Sequence, residues 1–195
     1  MKKLLILSLL LMVNVLTTQA QEAIKDQEMK PALLVIDIQN SFLEYMSDEK
    51  KLAMEMINAA IYTFRQMKLP IIRVYHTNPG WGPAPGTEAF EYPKSVAILD
   101  EDPKVIKNYP SAFIKTDLDK ILKEKGCNTL FLCGLSATGC VLATYHGGLE
   151  REYKPFMIKE AIISNNAQYT NVIKDICASV DFDTMTFMLE KLNKK

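Results

Sequence analysis

The sequence predicts an α/β protein: a three-layer α/β/α sandwich around one six-stranded, mostly parallel, doubly wound sheet. Three observations predict it. Short apolar runs alternate with helix-like segments along the chain, six times over. The runs are continuous rather than alternating, which fits strands covered on both faces. The chain has 195 residues, 48% hydrophobic and 24% charged, with no internal repeat or low-complexity linker to divide it. That is the size and composition of a single domain.

The elements follow in order. Ala32 to Ile36 is the first apolar run and stops at Asp37. Asp48 to Lys68 carries apolar residues at Leu52, Met56, Ala59, Ala60 and Phe64, which predicts a helix with Ser47 as its cap. Ile71 to Tyr75 reads as the second strand. A loop from about Thr77 to Pro103 follows, rich in proline and glycine between Pro79 and Gly86. Loops of this length in a compact domain are usually functional or mobile. Val105-Ile106 is a short strand. Thr116 to Lys125 is a helix, with Thr116 as cap and Gly126 as stop. Thr129 to Cys133 is a buried strand, Gly139 to Glu152 a helix, Pro155 to Ile158 a strand and Ala167 to Ala178 a helix. Thr184 to Met188 reads as the final strand, before a short helical tail.

The first twenty residues read as an address. Lys2 and Lys3 precede a mainly apolar stretch from Leu4 to Leu16, and Thr18-Gln19-Ala20 places small residues at −3 and −1 of a cut before Gln21. This is the pattern of a cleavable signal peptide, with an apolar segment too short to anchor in a membrane. The expected organisation is a leader over 1–20 and one domain over 21–195, in a periplasmic or secreted protein. The whole chain has 23 basic and 23 acidic residues, and loss of Lys2 and Lys3 leaves 21 basic residues. No basic block is available to neutralise a nucleic-acid backbone. The expected partner is a small-molecule substrate, with no nucleic acid, no membrane after cleavage, and a homo-oligomeric assembly of unassigned number.

Export makes the cysteines informative. Cys127, Cys133, Cys140 and Cys177 are an even set, which invites a disulfide reading. Cys127 and Cys133 flank Leu130-Phe131-Leu132, and a strand there would hold them roughly 20 Å apart, too far to bridge. No spacing resembles a zinc site. Cys133 and Cys177 read as small buried hydrophobes.

In open α/β sheets, ligands bind beyond the carboxyl ends of strands, where the winding reverses. Three residues with usable chemistry sit there: Asp37, Lys107 and Cys140. Taken alone, Asp37 fits a turn-capping carboxylate and Lys107 an ordinary surface lysine. Cys140 lies between a strand and a helix. A helix N-terminus and a nearby ammonium would both lower its pKa, and an aspartate could shuttle its proton.

Together these motifs resemble the isochorismatase-like cysteine hydrolases, over about Ala32 to Met188. Asp37, Gln39 and Phe42 match the family's first motif. Lys107 with Ser111-Ala112-Phe113 and Thr116-x-Leu118 matches the second. Gly134, Cys140, Val141, Ala143 and Thr144 match the third. The resemblance implies a sheet order of 3-2-1-4-5-6, with Asp37 and Cys140 on adjacent strands at the switch point. It implies that Cys140 attacks a carbonyl carbon, that Asp37 moves the proton, and that Lys107 holds both electrostatically. It further implies a cis peptide at Leu135–Ser136 and an oxyanion hole made by the backbone N–H groups of Ser136 and Cys140. Gln39, Phe42, His76 and Trp81 are candidate substrate contacts.

Some positions depart from the family pattern. Thr77-Asn78-Pro79-Gly80 stands where nicotinamidases carry metal-binding histidines, so no metal and no cofactor are expected. The presence of Cys140 points towards amide or ureido bonds rather than a vinyl ether. Glu160-Ala161 replaces Asp-Ala, and Gly147-Gly148 weakens the helix after Cys140. Trp81, Phe90 and Tyr92 either close over the site or pack on the body. The function expected is hydrolysis of a C–N bond in a small amide, ureido or carbamoyl compound through a thioester. Its alternatives are hydrolysis of another bond, or a ligand-binding protein that has lost turnover.

Overall fold

Residues 28–80 and 82–194 are described by the computed structural model. The proposed leader and Trp81 lie outside the described residues. The apolar runs form six strands: β1 (Pro31–Ile36), β2 (Ile71–His76), β3 (Lys104–Lys107), β4 (Thr129–Leu135), β5 (Lys154–Ile163) and β6 (Ser179–Val180). The sheet order is β3-β2-β1-β4-β5-β6, and every pairing is parallel. The winding reverses at β1, whose two neighbours are β2 and β4.

Strand β1 is buried along its whole length because both faces are covered. Leu33 and Val35 pack with α2 (Lys50–Gln66) and with α6 (Phe182–Glu190), through Ile57, Phe64, Met185 and Leu189. Ala32, Leu34 and Ile36 pack with α3 (Leu118–Glu124), α4 (Leu142–Leu149) and α5 (Ala167–Ile176). The remaining helix, α1 (Asn40–Leu43), is a single turn just after β1. Each valine, leucine, isoleucine, phenylalanine or methionine side chain so buried contributes roughly 1.5–3 kcal/mol. None of the described helices is long and apolar enough to cross a membrane.

The structure corrects several local expectations. Thr184 to Met188 is helical, inside α6, and the last strand is the two-residue β6. The reason is a cap: the Asp181 carboxylate accepts from the Thr184 amide at 2.7 Å. Glu49, not Ser47, occupies the cap position of α2. Asp117 occupies that of α3 without a side-chain cap bond, while the Thr116 hydroxyl accepts from the Leu118 amide at 3.3 Å and donates to the Ala112 carbonyl. Gly126 ends α3 as expected, at φ +67°. The segment Ala137–Val141 is a π-helical turn, and α4 begins only at Leu142.

The long 77–103 connection contains no helix or strand among its described residues, yet it is tied down. Phe90 and Tyr92 are buried and stack on Tyr75 at ring separations of 5.1 and 4.1 Å. The Tyr92 hydroxyl donates into the β1–β2 seam at the Val35 and Val74 carbonyls. Asp102 takes a two-pronged contact from Arg65, both at 2.8 Å. These two aromatics pack on the body; they do not close over the site. Gly147 and Gly148 are buried and serve close packing. A Cβ on Gly147 would meet the Ser111 hydroxyl at 2.6 Å and Phe113 at 3.0 Å. The helix-propensity cost of about 1 kcal/mol per glycine is the cost of that approach.

Candidate active site

Asp37 follows β1, Lys107 ends β3, and Cys140 lies in the π-helical turn after β4. Parallel pairing brings all three to the carboxyl end of the sheet. Asp37 adopts φ +52°, an unusual conformation for a non-glycine residue, while its amide bonds the Val74 carbonyl at 2.9 Å. Lys107 reaches past the end of β2 to place its ammonium 2.7 Å from Asp37 Oδ2. It is 1% exposed and Asp37 likewise 1%, so this is a buried ion pair and not a surface lysine. The same ammonium donates to His76 Nδ1 at 2.8 Å. Asp37 Oδ1 is buried without a hydrogen-bond partner among the described residues. Cys140 completes the cluster: one ligand atom each of Asp37, His76 and Cys140 lie within 4.8 Å of one another.

The electrostatics follow from burial. Burial raises the pKa of Asp37, and Lys107 opposes that rise. Burial and the neighbouring carboxylate push the Cys140 thiol up to about 12, again opposed by Lys107. This reverses the expected low-pKa thiol. Cys140 does not begin the α-helix, and the carboxylate beside it outweighs the ammonium. The resting group is a thiol with a carboxylate at hand, and not a preformed thiolate. His76 is pushed down to about 4, first by burial and then by Lys107, so it is neutral at pH 7.

The cluster opens on a cavity of about 580 Å³. Asp37, His76, Ser136, Gly139 and Cys140 form its reactive end; Phe42, Tyr45, Met46, Pro110 and Leu135 form its apolar walls. The volume suits a small molecule. Phe42 packs edge-on against His76, their ring centres 6.1 Å apart. Gln39 does not face the cavity. It is wholly buried, and both ends of its amide bond the His76 backbone, at 2.9 and 2.7 Å, fixing the end of β2. The Leu135–Ser136 peptide is cis. The Ser136 carbonyl accepts from the amides of Gly139 and Val141, the residues on either side of Cys140. Sequence reasoning missed Tyr45, Met46 and Pro110. Tyr45 and Met46 stand three and four residues after Phe42, a helical spacing that could have placed them on its side.

Among the described residues, only Asp37, His76 and Cys140 form a cluster of possible metal ligands. Two of its three residues already hold the Lys107 ammonium, at 2.7 and 2.8 Å. A divalent cation would meet that fixed positive charge, so the cluster does not fit a metal. All four cysteines are free thiols. Cys133 and Cys127 are buried as small hydrophobes, whereas Cys177 is only half-buried.

The Isochorismatase domain model matches residues 31–194. The chain belongs to the isochorismatase family of hydrolases. It is 31% identical to an isochorismatase family protein of Bacillus subtilis over 154 residues, covering 74% of this chain and 84% of that one. It is 25% identical to a secreted isochorismatase effector of Verticillium dahliae, over 67% of this chain and 70% of that one. Among solved structures, the N-carbamoylsarcosine amidase of Thermoplasma acidophilum superposes with a TM-score of 0.70 at 27% identity, over 78% of this chain and 95% of that one.

Proposed function

We propose that this isochorismatase-family protein is a cysteine hydrolase that cleaves a C–N bond of a small amide, ureido or carbamoyl compound. The observation that carries the reading is the buried Lys107–Asp37 pair beside the Cys140 thiol, at the reactive end of an apolar cavity. The amidase likeness supports the bond type.

Cys140 Sγ attacks the carbonyl carbon while its proton passes to Asp37, whose Oδ1 is the open acceptor. Proton transfer in step with attack suits a thiol whose own pKa lies far above neutrality. Lys107 opposes the rise that burial imposes on the Asp37 pKa and so favours the carboxylate. The carbonyl oxygen gains charge facing the backbone amides of Ser136 and Cys140. Asp37 then returns the proton to the leaving nitrogen, and the amine departs from a Cys140 thioester. Water attacks the thioester, giving a proton to Asp37 and the acyl group to its own oxygen; sulfur regains the proton. Lys107 takes no part in these proton transfers and holds Asp37 and His76 in place by hydrogen bonds.

The protein acts outside the cytoplasm, after cleavage near Ala20, and assembles as a homo-oligomer. The leader pattern and the name of the secreted Verticillium relative support export. The test is ammonia or amine release by residues 21–195 from a panel of small amides, ureas and carbamates. Activity is expected in wild type, with loss of at least ~10³-fold in Cys140→Ala and little change in melting temperature. A mass increment on Cys140 trapped by acid quench would identify the thioester. Unchanged turnover in Cys140→Ala would refute the nucleophile.

A further inference from the structure

The cavity that receives the substrate is not equipped for a negative charge. Apart from the reactive cluster and its turn, its lining consists of Phe42, Tyr45, Met46, Pro110 and Leu135. No arginine or lysine among the described residues lines it. Lys107 is not among the lining residues: its side chain is wholly buried and paired with Asp37 at 2.7 Å. The amides of Ser136 and Cys140 are needed for the carbonyl oxygen in the proposed reaction. The adjoining cleft shares Phe42 and Tyr45 with the cavity and is lined also by Glu44 and Glu88, both exposed.

From this distribution we infer that the substrate is an uncharged compound with an apolar body, and that anionic analogues of the same size are rejected. The inference rests on the hydrolase reading for its scissile bond, but its binding part can be measured without turnover. A carboxylate seated against these walls would give up water and gain no partner. It would also lie beside a cleft that carries two glutamates. An aryl or alkyl group there loses only unfavourable contact with water. The neutral form of His76 at pH 7 removes the remaining candidate for a positive contact.

The probes are 4-methylbenzamide and 4-carbamoylbenzoate, alike in shape and differing by a methyl against a carboxylate. Their affinities are read by calorimetry at pH 7 on Cys140→Ala, or on Cys140→Ser should the first not fold. The neutral probe is expected to bind at least ~100-fold more tightly. Tyr45→Arg places a cation on the exposed rim, where Tyr45 is 73% accessible, and should narrow that ratio by ~10-fold or more. Equal binding, preference for the anion, binding of neither probe, or an unchanged ratio in Tyr45→Arg would overturn the inference. Ammonia release by the wild type from the same two probes reports separately on the hydrolase reading. Turnover of both at similar efficiency would retain the hydrolase and reject the selectivity.

Discussion

Asp37, Lys107 and Cys140 push on one another's protons, and the signs can be separated by substitution. Asp37 raises the thiol pKa and Lys107 lowers it, with burial as the larger upward cause. Iodoacetamide reacts with the thiolate alone. Alkylation of Cys140 in wild type should therefore be slow at pH 7 and rise about tenfold per pH unit towards 12. Asp37→Asn should accelerate it at fixed pH, because a negative neighbour is gone. Lys107→Met should slow it, because the opposing positive charge is gone. Cys133 should stay unlabelled in the folded protein, since burial alone raises its pKa and no cation relieves it. Peptide mapping after timed labelling gives all four results. Coincident profiles for the three proteins would remove Asp37 and Lys107 from the thiol's surroundings. The position of each of these residues was legible in the sequence, because each ends or follows an apolar run. Their balance was not: it depends on burial depth and on which charge lies nearer to sulfur. Nor was the link from His76 to Lys107, which joins residues 31 apart in the chain.

Elements place these residues, and the tightest constraint on placement is Gly134 in β4. It sits at φ +113°, beside Ile36 in the β1–β4 register. A Cβ there would lie 2.0 Å from the Ile36 carbonyl oxygen, against the residue that precedes Asp37. Gly134→Ala combines backbone strain with overpacking against a strand that cannot move freely, so it should destabilise by about 3 kcal/mol or more. If it folds, Cys140 should lose its distinct alkylation profile, because β1 and β4 carry Asp37 and the π-helical turn. Urea midpoints and the labelling assay check this; a midpoint equal to wild type would show that β1 and β4 tolerate the change. Five strands were readable because a parallel strand buried on both faces is a continuous apolar run. Thr184 to Met188 was misread for a related reason: it is apolar, short and rich in threonine and methionine, and periodicity over five residues cannot separate strand from helix. The Asp181–Thr184 cap settles it, three residues before the segment begins to look apolar. The π-helical turn left no mark in the sequence, since it depends on how the Ser136 carbonyl is shared.

At the scale of the whole molecule, the buried cluster ties folding to pH. His76 has a folded pKa near 4 against an ordinary value of 6.5, through burial and then Lys107. As pH falls through 6.5, the unfolded chain takes a proton at this position and the folded chain does not. The unfolded state then binds more protons, so stability falls with pH in this window. Below about 4 both states are protonated and the slope ends. Asp37 acts with the opposite sign. Its folded pKa is raised, so the native state takes up a proton first as pH falls and recovers part of the loss. Lys107 lies between the two, donating to both Asp37 and His76. The His76 contribution can be isolated with His76→Gln, whose amide oxygen can still accept from Lys107 but does not titrate. At about 1.4 kcal/mol per pKa unit, wild type should lose about 2 kcal/mol relative to His76→Gln between pH 7 and pH 4.5. Urea unfolding of both proteins at pH 7, 5.5 and 4.5 measures the difference. A constant difference across that range would mean that His76 titrates alike in the folded and unfolded states, and that the Lys107 ammonium does not hold the ring neutral. A difference that grows on acidification places the ring, the ammonium and the carboxylate in one coupled unit, buried at the same strand ends that present Cys140 to the cavity.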